Sequence, residues 1–182
     1  MNPTFVKPRY DASGFADLPR RIQNLFDKQA YKTVIFFFID GFGWRFYEQF
    51  KEHSFFVELA KYGYVEKITS QFPSTTAAHV TTWHTGLTVG ESGVYEWQYY
   101  EPKLDALFTP LLFSYAGTML RNTAKESGIS ANEFYPRKNI YPVLRKLGVE
   151  SHIFQHKAFT PSPYSNAVMQ GANVYAYKTL PE

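Results

Sequence analysis

The sequence predicts an α/β fold: an open, mostly parallel sheet with helices on both faces. Three observations carry that expectation. Residues 33–39 (TVIFFFI) form an unbroken β-branched and aromatic run, the pattern of a central strand buried on both faces. The run stops abruptly at Asp40-Gly41-Phe42-Gly43, and a helical pattern follows. Strand-like and helical stretches then alternate, which argues for parallel strands joined by helical crossovers.

Taken in order, residues 1–16 read as an irregular lead-in. Asp17 is placed to cap a helix from Leu18 to Lys28 with Pro19 in its first turn, and Leu18, Ile22, Leu25 and Phe26 share one face. After the 33–39 strand, a helix is expected from Trp44 to Tyr62, closed by Gly63, and then a strand over 64–69. Residues 71–74 (QFPS) form a turn before a helix from Thr76 to Thr85 that ends at Gly86. The stretch 88–118, rich in Gly, Pro and aromatics, reads as an ordered excursion near an active site, and the polar stretch 119–138 as a lid or surface insertion. A short helix is expected from Asn139 to Leu147, with Gly148 ending it. A strand follows over 150–156, then a Pro/Ser turn over 159–166, and a further strand over 172–179.

Composition bounds the function. The 182 residues are 45% hydrophobic, enough for one domain with a sizeable core. Its 17 Phe and 14 Tyr are read first as core. Net charge is +3 from 19 basic and 16 acidic residues, with no Lys/Arg run, so there is no nucleic-acid footprint. The absence of cysteine excludes disulfides, thiolate metal sites and cysteine nucleophiles. No run of about 18 apolar residues marks a membrane span, and the polar N-terminus does not read as a secretory leader, so a cytoplasmic location is the expectation.

Two residues stand where chemistry is done in an α/β sheet. Asp40 follows a strand directly, at the rim where such sheets bind ligands, and the flanking glycines let the backbone turn tightly. Its plainer role is to cap the next helix. Thr76 opens a helix, whose free N–H groups and positive dipole end suit a phosphoryl group. Plain capping is again the simpler role, and Thr75 offers the same chemistry. A threonine hydroxyl needs a base or metal to become a nucleophile.

Asp40 together with the stretch Phe72 to Trp97 (FPSTTAAHVTTWHTGLTVGESGVYEW) resembles the type I phosphodiesterase / nucleotide pyrophosphatase branch of the alkaline phosphatase superfamily. The resemblance runs over about residues 32–180. It is specific over 34–43 and 72–102. Pro73, Thr76, Thr85-Gly86-Leu87 and Gly93-Val94 match in register, and Thr76 lies three residues after Pro73 and ten before Gly86, which selects it over Thr75. The resemblance implies an alkaline-phosphatase-like domain over residues 1–182 and hydrolysis of a small phosphodiester or nucleotide pyrophosphate. It implies Thr76 as nucleophile through a phospho-threonine intermediate, and two divalent ions, usually zinc, one held by Asp40 and Thr76. Two positions depart from the animal nucleotide pyrophosphatases: His79 and Trp97 stand where those enzymes carry asparagines, and they become the candidate substrate-binding residues. Alternatives are a phosphomonoesterase or phosphonate hydrolase of the same superfamily, or a phosphate-binding module without catalysis. A sulfatase is excluded, because its Cys/Ser-x-Pro-x-Arg motif is missing.

The remaining titratable residues give less. His152 and His156 share a strand face but lie about 13 Å apart at strand rise, too far for one zinc; they read as ordinary strand histidines. Glu96 and Glu101 read as structural or rim residues. Aspartate occurs at 11, 17, 27, 40 and 105 only, so the later Asp-containing ligand motifs implied by the resemblance do not lie in 106–182. The expectation is an N-terminal part of a larger catalytic domain, inactive by itself.

Overall fold

The computed structural model describes residues 6–28 and 31–180. Residues 1–5 of the expected lead-in and residues 181–182 at the end of the chain lie outside them. In chain order the elements are α1 (Leu18–Asp27), α2 (Trp44–Phe50), α3 (Ser54–Tyr62), α4 (Thr76–Thr85), α5 (Val89–Ser92), β1 (Tyr99–Glu101), β2 (Ala106–Thr109), β3 (Ser114–Tyr115), α6 (Tyr141–Lys146), β4 (His152–His156), α7 (Pro163–Val168) and β5 (Asn173–Tyr177), with short 3-10 turns between some of them. The class is mixed α/β. Its ladders are small: β1-β2-β3 form an antiparallel meander and β4-β5 a parallel pair.

The large open parallel sheet of the sequence reading is corrected here. Residues 33–39 form neither helix nor strand and join no ladder among the described residues. One side of this run packs on α4, where Phe36 stacks on Trp83 at 3.6 Å between ring centroids, and Phe38 meets Phe15 in the turn before α1 at 5.5 Å. The other face is open, with Ile35, Phe37 and Ile39 exposed by 74%, 78% and 65%. An apolar run without alternation is therefore not, here, a strand buried on both sides, because no described element covers its outer face. The expected strand over 64–69 shrinks to a single parallel bridge between Thr69 and Gly14.

The expected helix over 44–62 is two helices. His53 breaks it, with extended backbone and a ring nitrogen, Nδ1, that accepts the Phe55 amide at 3.2 Å and so caps α3. Asp17 occupies the cap position of α1 but accepts from Arg20 at 2.6 Å instead of from a backbone amide. Residues 159–166 are more than a turn: Ser162 and Ser165 exchange hydrogen bonds as a reciprocal cap, and Pro163 opens α7.

The core sits between α4, the meander, α6 and α7. Phe108, Phe113, Tyr135, Tyr164, Val168 and Met169 are all buried there. Phe108 and Phe113 meet edge to face, and the Tyr164 hydroxyl pairs with Thr81 Oγ1 at 2.8 Å, tying α7 to α4. The stretch 119–138 is no lid: Ala124, Phe134 and Tyr135 are buried in this same core, and the Tyr135 hydroxyl donates to the Pro110 carbonyl. Its polar composition hid three inward residues. β4 and β5 lean on the core through Ile153, while Phe154 points away, 71% exposed and stacked on Tyr175.

The C-terminal end of α4 is fixed by Gly86, whose φ of 67° suits glycine. There the Ile140 amide donates to the His84 carbonyl, and His84 Nδ1 shares a hydrogen bond with the Tyr141 hydroxyl. Burial pushes the His84 imidazole down to about 3. An unfolded histidine titrates near ~6.5, so between those values the unfolded chain binds the extra proton. Stability contributed by neutral His84 is thus fully present above about pH 6.5 and is lost as pH falls toward the folded value, by up to about 1.4 kcal/mol per pH unit. Urea unfolding at pH 7.5 and pH 5 is expected to show a lower midpoint at pH 5, and His84→Gln is expected to flatten that difference. An equal pH dependence in the variant would contradict the assignment.

Candidate functional site

Asp40 is the first residue past the apolar run 33–39, and Gly41 follows it with φ of 70°. Thr76 is the first residue of α4. The two meet although 36 positions separate them: the Thr76 hydroxyl donates to Asp40 Oδ2 at 3.1 Å and lies 3.3 Å from Oδ1. Both side chains are open to solvent. A carboxylate with both oxygens beside an exposed hydroxyl is a cluster of three hard oxygen atoms, the donor type that divalent cations accept.

Thr75 does different work. It is the N-cap of α4, with extended backbone, and its Oγ1 accepts the Ala78 amide at 3.3 Å while donating to the Tyr95 carbonyl at 2.8 Å. Its hydroxyl is therefore used twice within the protein. The neighbouring hydroxyls that composition could not separate are separated by position in the helix: the cap turns inward to the backbone, and the next residue turns to Asp40.

His79 is buried one turn into α4. Its Nε2 lies 3.1 Å from the Gln71 amide and its Nδ1 lies 2.8 Å from the Thr75 carbonyl. An amide can only donate and a carbonyl can only accept, so the ring is neutral with the proton on Nδ1. Burial lowers its pKa, opposed by the Thr75 carbonyl and by the negative Asp40. Both ring nitrogens are thus engaged by backbone groups. Trp97 is half-buried, its ring edge-on to Phe159 and its amide held by the Glu96 carboxylate at 2.6 Å. Two residues earlier, the Tyr95 carbonyl accepts the Thr75 hydroxyl beside the site. Glu101 accepts the Lys103 amide. Those two glutamates thus serve local backbone.

The residues that sequence reasoning missed lie behind Thr76. Gln71, 1% exposed, donates from Nε2 to Thr82 Oγ1 at 2.7 Å and accepts the Val89 amide at 3.1 Å. Phe15 sets its ring edge against His79 at 4.6 Å, and the Tyr10 hydroxyl accepts the Phe72 amide. A buried glutamine flanked by turn residues is the only signal of this in the sequence, and it is a weak one. Phe15 and Tyr10 act across more than 50 residues of chain, which no local pattern registers.

His152 and His156 stay on β4. His152 lies against Tyr175 and His156 accepts the Ala158 amide. Among the described residues no group of three or more His, Cys, Asp or Glu side chains converges as a metal site, and no helix is long and apolar enough to cross a membrane. A shallow cleft of about 460 Å³ between α7 and β5 does not include Asp40 or Thr76.

A family model, type I phosphodiesterase / nucleotide pyrophosphatase, matches residues 34–175. No curated protein and no solved structure matches the chain significantly.

The geometry separates the two threonines by stability. Loss of an N-cap hydroxyl costs about 1 kcal/mol, so Thr75→Ala is expected to lower the urea midpoint clearly and Thr75→Ser to restore it. Thr76→Ala removes an exposed hydroxyl and is expected to leave stability within about 0.5 kcal/mol of wild type. Urea titrations of the three variants check this, and a larger loss in Thr76→Ala than in Thr75→Ala would reverse the roles.

Proposed function

The chain belongs to the type I phosphodiesterase / nucleotide pyrophosphatase family, and from that premise we propose that it is the nucleophile-bearing part of a metal-dependent phosphodiester or nucleotide pyrophosphate hydrolase in which Thr76 is the attacking residue. The observation that carries the reading is the contact between the Thr76 hydroxyl and Asp40 at the open N-terminus of α4. The helix start supplies partial positive charge and N–H groups without intrahelical partners, where an anionic phosphoryl group is favoured. Asp40 holds the hydroxyl proton at Oδ2 and so turns the oxygen lone pairs outward.

In the first half-reaction the Thr76 oxygen forms a bond to phosphorus, and the bond to the leaving oxygen breaks. The hydroxyl proton passes to the Asp40 side, and the phosphoryl group rests on Thr76 until water releases it. A bare carboxylate is too weak a base for an unassisted threonine hydroxyl. A divalent cation, when bound, supplies the charge that lowers the hydroxyl pKa and offsets charge gathering at phosphorus. Asp40 and Thr76 fit one side of such an ion. Zinc sites take about three or four protein ligands, so this pair alone is an incomplete set, and residues 1–182 by themselves are expected to bind zinc weakly and not to turn over. In this reading the chain contributes the nucleophile side of one catalytic domain.

In a form of the protein that carries the remaining ligands, Thr76→Ala is expected to abolish release of nitrophenol from a nitrophenyl phosphodiester, a loss of about 1,000-fold or more for a nucleophile. Thr75→Ala is expected to weaken it at most. Equal activity of Thr76→Ala and wild type would remove Thr76 from the mechanism. Calorimetry of the 182-residue chain with zinc checks the ligand count: tight stoichiometric binding with sustained turnover would mean that this chain holds a full set.

A further inference from the structure

We propose that His79 is a positioning residue for Thr76: its ring, held as the Nδ1–H tautomer, staples the turn that precedes α4 and thereby sets where the Thr76 hydroxyl points. The inference rests on the reading of Thr76 as nucleophile and adds a residue that acts without touching substrate.

The turn from Gln71 to Thr75 must deliver the chain into α4 at one fixed angle, and the imidazole spans both of its ends. Nε2 accepts the Gln71 amide at 3.1 Å, and Nδ1–H donates to the Thr75 carbonyl at 2.8 Å. The Thr75 carbonyl belongs to the peptide that enters Thr76, so its orientation and that of the Thr76 backbone are one variable. Around the ring the fit is closed. Gln71 is anchored by Thr82 and Val89, Phe15 covers the imidazole from the lead-in, and the Tyr10 hydroxyl takes the Phe72 amide. Free histidine has no such restraint on its tautomer; here one nitrogen faces a donor and the other an acceptor, and only Nδ1–H satisfies both. The same two bonds leave no ring nitrogen for a phosphate oxygen. Removal of the ring therefore shifts the nucleophile without removing a substrate contact, and misplacement of about 1 Å costs up to about 100-fold in rate.

The first test is long-range nitrogen–proton NMR of the His79 ring in the 182-residue chain. A protonated Nδ1 and an acceptor Nε2 are expected, and the Gln71 amide is expected to couple across its hydrogen bond to Nε2. A ring protonated on Nε2, or one averaging between tautomers, overturns the proposal. The second test is kinetic, in the form that carries the remaining ligands. His79→Ala is expected to lower kcat by about 10- to 100-fold with KM unchanged. His79→Asn, which keeps a donor toward the Thr75 carbonyl, and His79→Gln, which keeps an acceptor for the Gln71 amide, are each expected to recover part of the loss. A raised KM at unchanged kcat would make the ring a substrate contact, and an unchanged kcat and KM in folded His79→Ala would make it packing alone; either overturns the proposal. The NMR arm needs no turnover, so failure of the hydrolase reading and failure of the staple are told apart.

Discussion

Thr75 accepts the Ala78 amide, and one turn later His79 returns a ring N–H to the Thr75 carbonyl. These two bonds decide that α4 begins at Thr76 and not one residue to either side. A shift by one position would rotate the first hydroxyl by about 100°, the turn angle per residue of a helix with ~3.6 residues per turn, and would carry it away from Asp40. The cap also reaches outward: its own hydroxyl donates to the Tyr95 carbonyl and so fixes the start of the aromatic excursion beside the helix. From the other end, Gly86 and the His84–Tyr141 pair hold α4 against α6. The helix is thus clamped at both ends, and the side chain offered to solvent at its N-terminus is the one that meets a carboxylate.

The apolar run 33–39 serves that meeting. Its inner face rests on Trp83 of α4 and on Phe15, which brings the residue after it, Asp40, to the helix N-terminus. Burying Phe36 against Trp83 gains about 25 cal/mol for each Å² of apolar surface removed from water. The placement of Asp40 is therefore a packing result before it is an electrostatic one. The carboxylate and the hydroxyl remain exposed, so they keep their hydration until a ligand displaces it.

How much of this could be read beforehand divides along the range of the contacts involved. α1, α4 with its Gly86 stop, β4 and β5 were legible, because each is announced by local pattern: an apolar face, a glycine after the last turn, a β-rich run. Thr76 over Thr75 came from register within a motif, and the structure separates the two hydroxyls in the same sense while leaving their chemical roles to experiment. The 33–39 run misled, because strand propensity says nothing about whether neighbours are present to complete a ladder. Residues 119–138 misled in the opposite direction: mean polarity concealed Ala124, which reaches the core from a 3-10 turn, and Phe134 and Tyr135, which reach it just after another, with no helical or strand period. His79 is a candidate substrate-binding residue by its position in the motif. Its actual partners, the Gln71 amide and the Thr75 carbonyl, are backbone groups, which carry no trace in the sequence.

In the proposed reaction the Thr76 oxygen accepts the phosphoryl group. The most direct measurement is rapid acid quenching of the enzyme during turnover of a phosphodiester, followed by peptide mapping of the covalently bound phosphate by mass spectrometry. Phosphate is expected on Thr76, absent from Thr76→Ala and present in Thr75→Ala. Phosphate found on Thr75, on His79, or on Thr76→Ala enzyme at wild-type level would contradict it.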